Sequence, residues 1–170
     1  MKSDQALIAE FLGGNQQSFD QLALKYQQQV RELFFRGTGD IDDTNDLAQE
    51  TFIRVFRNLH RFRGDSELGT WIYRIAANVL NSHFRKSKLR QWLPLADNEP
   101  SHDDDNDLDD RRKAVLSMIP RLSVQERKVF ILRGLQGLPV KDTALILQTS
   151  ESTIKVAFHT ARKKLKGYFK

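Results

Sequence analysis

The chain contains no cysteine among its 170 residues, which excludes a disulfide-stapled scaffold and any metal site built on thiolates. It has no apolar run long enough to span a bilayer, and Lys2, Ser3 and Asp4 break any signal-peptide pattern after Met1. A soluble, cytoplasmic protein with no membrane insertion is expected. Enzyme chemistry is missing too. His60, His83, His102 and His159 stand far apart with no HExxH-like pairing, and there is no Walker glycine loop, GxSxG elbow or dinucleotide fingerprint. No stretch reads as a strand. An enzyme is not expected, and neither a metal nor a cofactor is called for.

What the chain does have is positive charge. There are 27 Lys and Arg against 22 Asp and Glu, and eight of those acids lie within 97–110, DNEPSHDDDNDLDD, which holds no Lys or Arg. The rest of the chain therefore carries nearly two basic side chains for each acidic one. Polyanions suit such a surface, nucleic acid first and membrane second, although a basic surface can also be incidental. The acidic segment has no hydrophobic period and lacks calcium-loop spacing, and Pro94 and Pro100 bracket the polar stretch where it begins. It reads as a flexible linker between two helical domains, at 93–111, with domains at 1–92 and 112–170.

In the first domain, residues 4–12 predict a short helix stopped by Gly13 and Gly14. A second covers 16–36, with Phe19, Leu22, Ala23, Tyr26, Val30, Leu33 and Phe34 at helical spacing and Gly37 and Gly39 ending it. The third opens on an acidic cap at Asp42 and Asp43 and runs to about His60. Leu47, Thr51, Phe52, Val55, Phe56 and Leu59 form its buried stripe. Asp46, Gln49, Glu50, Ile53 and Arg57 face the other way. Ile53 is either an isolated exposed residue or the apolar centre of a protein contact.

A short loop, Phe62-Arg63-Gly64-Asp65-Ser66-Glu67, leads into the helix predicted over 70–90. At about 100° per residue, Ile72, Ile75, Ala76, Val79 and His83 share one face. Arg74, Asn78, Asn81 and Arg85 share the opposite face, and the basic run Arg85, Lys86, Lys88, Arg90 follows. Arg supplies a planar fork for phosphate or guanine, and Asn a donor beside an acceptor, which suits a base edge. An ordinary solvated helix face has the same pattern.

The second domain predicts a helix over 112–119, ended near Pro120. A capping box, Ser123-Val-Gln-Glu126, opens a helix to about Leu135. Pro139 fits the first turn of a helix through Leu147, and Gln148-Thr149-Ser150 separates it from a last helix over 151–168. Two helices joined by so short a turn, the second basic, make a helix-turn-helix pattern. Ile154, Phe158, Ala161 and Leu165 would be buried, leaving Ser152, Thr153, Lys155, Val156, His159, Thr160 and Lys163 on the outer faces.

Two stretches together resemble a known family. DDTNDLAQETFIRVFRNLHRFRGDSELGTWIYRIAANVLNSHFRKSK carries a DLxQExF-like signature, an FRGDS loop and a W-x-x-RIA-x-N helix in that order. It resembles the promoter-melting region of a bacterial sigma-70-type sigma factor of the extracytoplasmic-function group. LSxxER, FxLR, GL, a short turn and a basic helix ending ARKKL resemble the same family's C-terminal helix-turn-helix. The joint order covers nearly the whole chain outside the linker.

The resemblance implies an all-α protein and a non-catalytic specificity subunit of transcription initiation. Core RNA polymerase (clamp helices and flap) and promoter DNA, duplex and melted, are its expected partners, with an anti-sigma factor that no residue identifies. Asp46, Gln49, Glu50 and Ile53 would meet the clamp helices. Phe62, Arg63, Asp65, Ser66, Arg74, Asn78 and Asn81 would read and trap flipped minus-ten bases, with Arg85 and Lys86 on the backbone nearby. Ser152, Thr153, Lys155, Val156, His159, Thr160, Arg162 and Lys163 would read the minus-thirty-five duplex. The chain departs from the family at Val156, Ala157 and Thr160, where two cations are commonly found. A freestanding helix-turn-helix regulator is the competing expectation, though it has no obvious use for Arg74 and Asn78.

Overall fold

The computed structural model describes residues 2–92 and 114–167, the side chains of 87–92 excepted. The predicted linker and the side chains of Lys88 and Arg90 fall outside the described residues. Every regular element among the described residues is helical. Helix α1 (Asp4–Leu12) starts at Ser3, whose hydroxyl accepts the Ala6 N–H, and buries Leu7 and Ile8. Helix α2 (Gln17–Thr38) buries Leu22, Val30, Leu33 and Phe34 along the predicted stripe. It does not stop at Gly37. Gly39, at φ 75°, is the C-cap and donates its N–H to the Phe35 carbonyl. Gly37 lies inside the helix because α4 passes close to it: a Cβ there would stand 2.7 Å from Leu80 Cδ2. That glycine is a packing contact and not a stop.

Helix α3 (Ile41–Asn58) begins slightly earlier than the sequence suggests. Asp40 is its cap and accepts the Asp43 N–H, while Asp42 and Asp43 occupy the first turn, where the helix dipole favours them. Leu47, Thr51 and Val55 are buried, as is Leu59 in the 3-10 turn Leu59–Arg61. Phe56, expected in this stripe, is 39% exposed. It closes the edge of the bundle, with its ring against Phe11 and Phe19 at centroid separations of 5.1 and 5.0 Å.

Helix α4 (Leu68–Trp92) buries Ile72, Ala76 and Val79 as predicted, and Ala77, Leu80 and Phe84 besides. The buried arc is wider than one face because α2 and α3 cover one side and the C-terminal half covers another. Ile75 is half-buried, and His83 sits at the boundary, its Nε2 3.5 Å from an Asp43 carboxylate oxygen.

The second half enters through a helical stretch at 114–118 and a 3-10 turn, Ile119–Arg121. Helix α5 (Val124–Val129) has the predicted capping box. Ser123 Oγ accepts the Glu126 N–H, and the Glu126 carboxylate accepts the Ser123 N–H at 2.9 Å. The expected α-helix to Leu135 instead widens into a π-helical turn over Phe130–Leu135, with the Gln136 N–H reaching the Ile131 carbonyl. Pro139 is the residue before helix α6 (Val140–Leu147), not a member of its first turn. Gln148, at φ 51° and ψ 50°, ends α6, and the Thr149 N–H closes on the Ala144 carbonyl. A non-glycine residue in this region costs about 1 kcal/mol, which the closing bonds offset.

Helix α7 (Glu151–Gly167) completes the helix-turn-helix. Ile154, Ala161 and Leu165 are buried, and burying the Ile and the Leu contributes about 1.5–3 kcal/mol each. The main apolar cluster is shared between the halves: Ile119, Ile131, Leu132 and Ile146 join it with Ile72, Ala76, Val79 and Leu80.

Candidate nucleic-acid interface

Three surfaces contain the residues singled out from sequence. The first lies where the 62–67 loop meets α4. Phe62 leaves the 3-10 turn in an extended conformation, and its ring meets Trp71 at 5.5 Å with planes tilted 56°. Gly64, at φ 77°, turns the loop with nothing packed against it. Arg63 and Asp65 are exposed, and Ser66 is half-buried. These residues border an open cleft of about 820 Å³, whose far wall is Lys141 and the Gln148–Glu151 turn of the second half. Arg61, Arg63, Arg74 and Lys141 line it against only Asp65 and Glu151, so cations predominate. Aromatic faces among cations are what an unstacked base and its phosphates require.

Arg61, Trp71 and Lys141 were not anticipated as site residues. Trp71 carried a signal, since it heads the W-x-x-RIA-x-N motif one turn before Arg74. Nothing in the sequence marks Lys141, because its presence depends on how the two halves meet.

Along α4 the polar stripe is already engaged. Arg74 donates from Nε to the Ile146 carbonyl at 2.8 Å and from Nη2 to the Leu145 carbonyl at 3.2 Å. The Lys128 ammonium donates to Asn78 Oδ1 at 2.6 Å, and Arg127 Nη1 donates to Asn81 Oδ1 at 3.1 Å. Burial lowers the pKa of both Arg127 and Lys128 from their ordinary values. Arg85 and Lys86 are exposed further along the helix.

The second surface is the outer face of α3. Asp46, Gln49 and Ile53 are exposed there, Ile53 at 44%. Glu50 pairs with Arg54 one turn on, at 2.5 Å. Asp46 and Glu50 also border a small cleft of about 280 Å³ with His83 and Lys86 of α4. An apolar side chain therefore stands among acids beside the basic end of α4.

The third surface is α7. Ser152, Lys155, Val156, His159, Arg162 and Lys163 are exposed, and Thr153 and Thr160 are half-buried. The Ser150 hydroxyl accepts the Thr153 N–H at 3.1 Å, fixing the start of the helix. The Thr160 hydroxyl is turned back onto the Val156 carbonyl at 3.0 Å. A cleft of about 720 Å³ collects Lys155, His159, Arg162, Lys163 and Lys166 with Arg133 of the π-helical turn. Phe158, expected in the buried stripe, is only half-buried and lines this cleft. Arg133 and Arg162 both approach its ring, their guanidinium carbons 5.3 and 5.8 Å from the centroid. Arg133 was legible as part of FxLR but not as a neighbour of α7. No residue group among those described is placed to hold a metal ion, and no helix of the described residues is long and apolar enough to cross a membrane.

An all-helical bundle joined to a helix-turn-helix with a cationic second helix defines a DNA-binding transcription protein of two parts. Two family models match the chain, sigma-70 region 2 at residues 22–90 and sigma-70 region 4 at residues 112–165. The chain is 31% identical to the RNA polymerase sigma-H factor of Pseudomonas aeruginosa, over 95% of this chain and 91% of that one. It is 29% identical to the extracytoplasmic-function (ECF) RNA polymerase sigma factor SigM of Mycobacterium tuberculosis, over 96% and 83%. A solved structure of the sigma factor RpoE of Bartonella quintana, in complex with the anti-sigma factor NepR, aligns with a TM-score of 0.59 and 26% identity over 88% of this chain and 94% of that one. The chain belongs to the sigma-70 family, in its extracytoplasmic-function group, and is a sigma factor of transcription initiation.

Proposed function

We propose that this protein docks on core RNA polymerase in the cytoplasm and directs it to promoters by reading two DNA elements. Residues 1–92 bind the polymerase and hold the melted minus-ten strand, 112–170 read the minus-thirty-five duplex, and 93–111 connect them. The observation that carries this is the cleft at the head of α4, where Phe62 and Trp71 stand among Arg61, Arg63 and Arg74. Unpairing a base costs a few kcal/mol, and aromatic stacking returns about 1–3 kcal/mol per base. Asn78 and Asn81 supply polar edges one and two turns further along the same helix.

The exposed Ile53 among Asp46, Gln49 and Glu50 gives α3 a small apolar centre with an acidic rim, suited to a basic helical partner such as the polymerase clamp helices. On α7, Lys155, Arg162 and Lys163 supply phosphate contacts, and Ser152, Val156 and His159 face a groove. An anti-sigma factor is a further partner, as it is for the Bartonella protein.

Two substitutions separate the surfaces. Ile53→Asp is expected to reduce binding to core polymerase while leaving the melting temperature within a few degrees. Asn78→Ala is expected to reduce strand opening, followed by permanganate reactivity of unpaired thymines, with polymerase binding retained. Equal losses in both assays for Asn78→Ala, or a collapse of stability for Ile53→Asp, would contradict the assignment.

A further inference from the structure

The cleft at the head of α4 has two walls, and only one of them serves a DNA strand. Phe62 and Trp71 stand on the first wall, their rings 5.5 Å apart, with Arg61 and Arg63 beside them. Lys141, Thr149 and Ser150 stand on the second, which comes from a part of the chain distant in sequence. Arg61, Arg63 and Lys141 are exposed and form no ion pair with any described residue. The acids of the cleft, Asp65 and Glu151, are too few to neutralise its four cations. Packing of the two halves thus gathers like charges from both, and an anion seated among them converts that repulsion into attraction.

The lining selects the kind of anion. A volume of about 820 Å³ lies in the range of small-ligand sites. Guanidinium forks and a lysine point charge suit phosphate oxygens. Two aromatic side chains bordering the same space suit a heterocyclic base. We propose that this cleft binds a nucleoside polyphosphate, with its base against Phe62 and Trp71 and its phosphates between Arg61, Arg63 and Lys141. The site is complete only where both walls are present, so nucleotide binding and packing of the halves support each other by mass action. The inference shares Phe62 and Trp71 with the strand-binding reading but does not rest on it, because Lys141 has no part in that reading.

Trp71 itself reports binding, since the chain has only one other tryptophan, Trp92. In full-length Trp92→Phe protein, ATP and GTP are titrated against Trp71 fluorescence. Saturable quenching with a Kd below about 1 mM is expected for at least one of them, and the melting temperature should rise with its concentration. The corresponding nucleoside without phosphates should bind about tenfold more weakly, and inorganic tripolyphosphate should displace the nucleotide. Lys141→Glu, at an exposed position assigned to no DNA contact, is expected to weaken binding by about tenfold or more, and Lys141→Gln by less. Lys166→Glu removes an exposed cation of α7 outside this cleft and should leave binding unchanged.

Absence of saturable quenching by both nucleotides overturns the proposal. Equal weakening by Lys141→Glu and Lys166→Glu also overturns it, since that pattern marks diffuse attraction to a basic protein. Binding undiminished in Lys141→Glu removes the two-walled site. A short single-stranded oligonucleotide separates this inference from the strand-binding reading. If the oligonucleotide binds and neither nucleotide does, only the nucleotide site falls. If a nucleotide binds as described and the oligonucleotide does not, the nucleotide site stands and the strand-binding reading falls.

Discussion

Arg127 offers the sharpest stability prediction. It is 5% exposed, and its Nη2 donates to the Pro120 carbonyl at 3.0 Å and to the Leu122 carbonyl at 2.9 Å. These carbonyls belong to the turn that feeds α5, and no side chain of a hydrophobic residue can satisfy them. Nη1 reaches Asn81 on α4, and the guanidinium lies 6.0 Å from the Phe84 ring centroid. The one side chain thus ties the 3-10 turn, α5 and α4 together. Hydrogen bonds from a charged donor contribute about 1.5–3 kcal/mol each, and leaving a buried neutral acceptor unsatisfied costs about 1–3 kcal/mol. With two buried carbonyls left unsatisfied, offset in part by relief of the desolvated guanidinium, Arg127→Leu should cost about 2–4 kcal/mol, a large share of the roughly 5–15 kcal/mol that holds a domain folded. Arg127→Lys should recover little, because an ammonium lacks the planar fork that reaches two carbonyls and an amide at once. Urea unfolding followed by circular dichroism measures both. A loss below about 1 kcal/mol for Arg127→Leu would refute the reasoning, since it would mean that water satisfies those carbonyls.

Other consequences are independent of that one. Burial by itself would raise the Glu126 carboxyl, but the Lys164 ammonium and the Ser123 N–H and hydroxyl outweigh it, and its pKa falls below the usual 4.5. A folded pKa below the unfolded one gives stabilisation that is present above about pH 4.5 and lost as pH falls through the folded value. Glu126→Gln should flatten that part of the pH–stability curve, and parallel curves for the two proteins would contradict it. Gly37→Val should destabilise the first half by about 1–3 kcal/mol through overpacking against Leu80, seen as a lower urea midpoint. An unchanged midpoint would mean that Leu80 has room to move. Lys155→Ala and Lys163→Ala should each weaken duplex binding and make its salt dependence shallower, by about one counterion for each phosphate no longer neutralised. An unaltered salt slope would show that the side chain in question does not touch a phosphate.

Much of the fold was legible because amphipathic helices announce which face they bury. The stripes of α2, α3 and α7 and the Ser123–Glu126 capping box were all readable from residue spacing. What spacing could not convey is the partner of each face. Gly37 reads as a helix stop until α4 is known to press Leu80 against it. Phe56 fits the apolar period of α3, yet it lies at the bundle edge, where Phe11 and Phe19 cover only part of it. The π-helical turn over Phe130–Leu135 has no residue signature, since it ends the helix and no later turn shows the shifted apolar phase.

The same limit applies to the candidate site. Arg74, Asn78 and Asn81 were recognisable as a stripe with nucleic-acid chemistry, but that chemistry also fits helix-end carbonyls and lysine. Their engagement by α5 and α6 depends on long-range packing of Ile131, Leu132 and Ile146 on α4. Lys141 and Arg133 were missed for that reason: each joins a cleft only through packing between elements distant in sequence.

The most direct measurement is transcription by purified core RNA polymerase on a library of random upstream DNA, with and without this protein. Transcripts that appear only with the protein, from sites sharing two elements at a fixed spacing, are predicted. Duplex binding by the protein alone, with no protein-dependent transcripts, would contradict the account and favour a freestanding regulator.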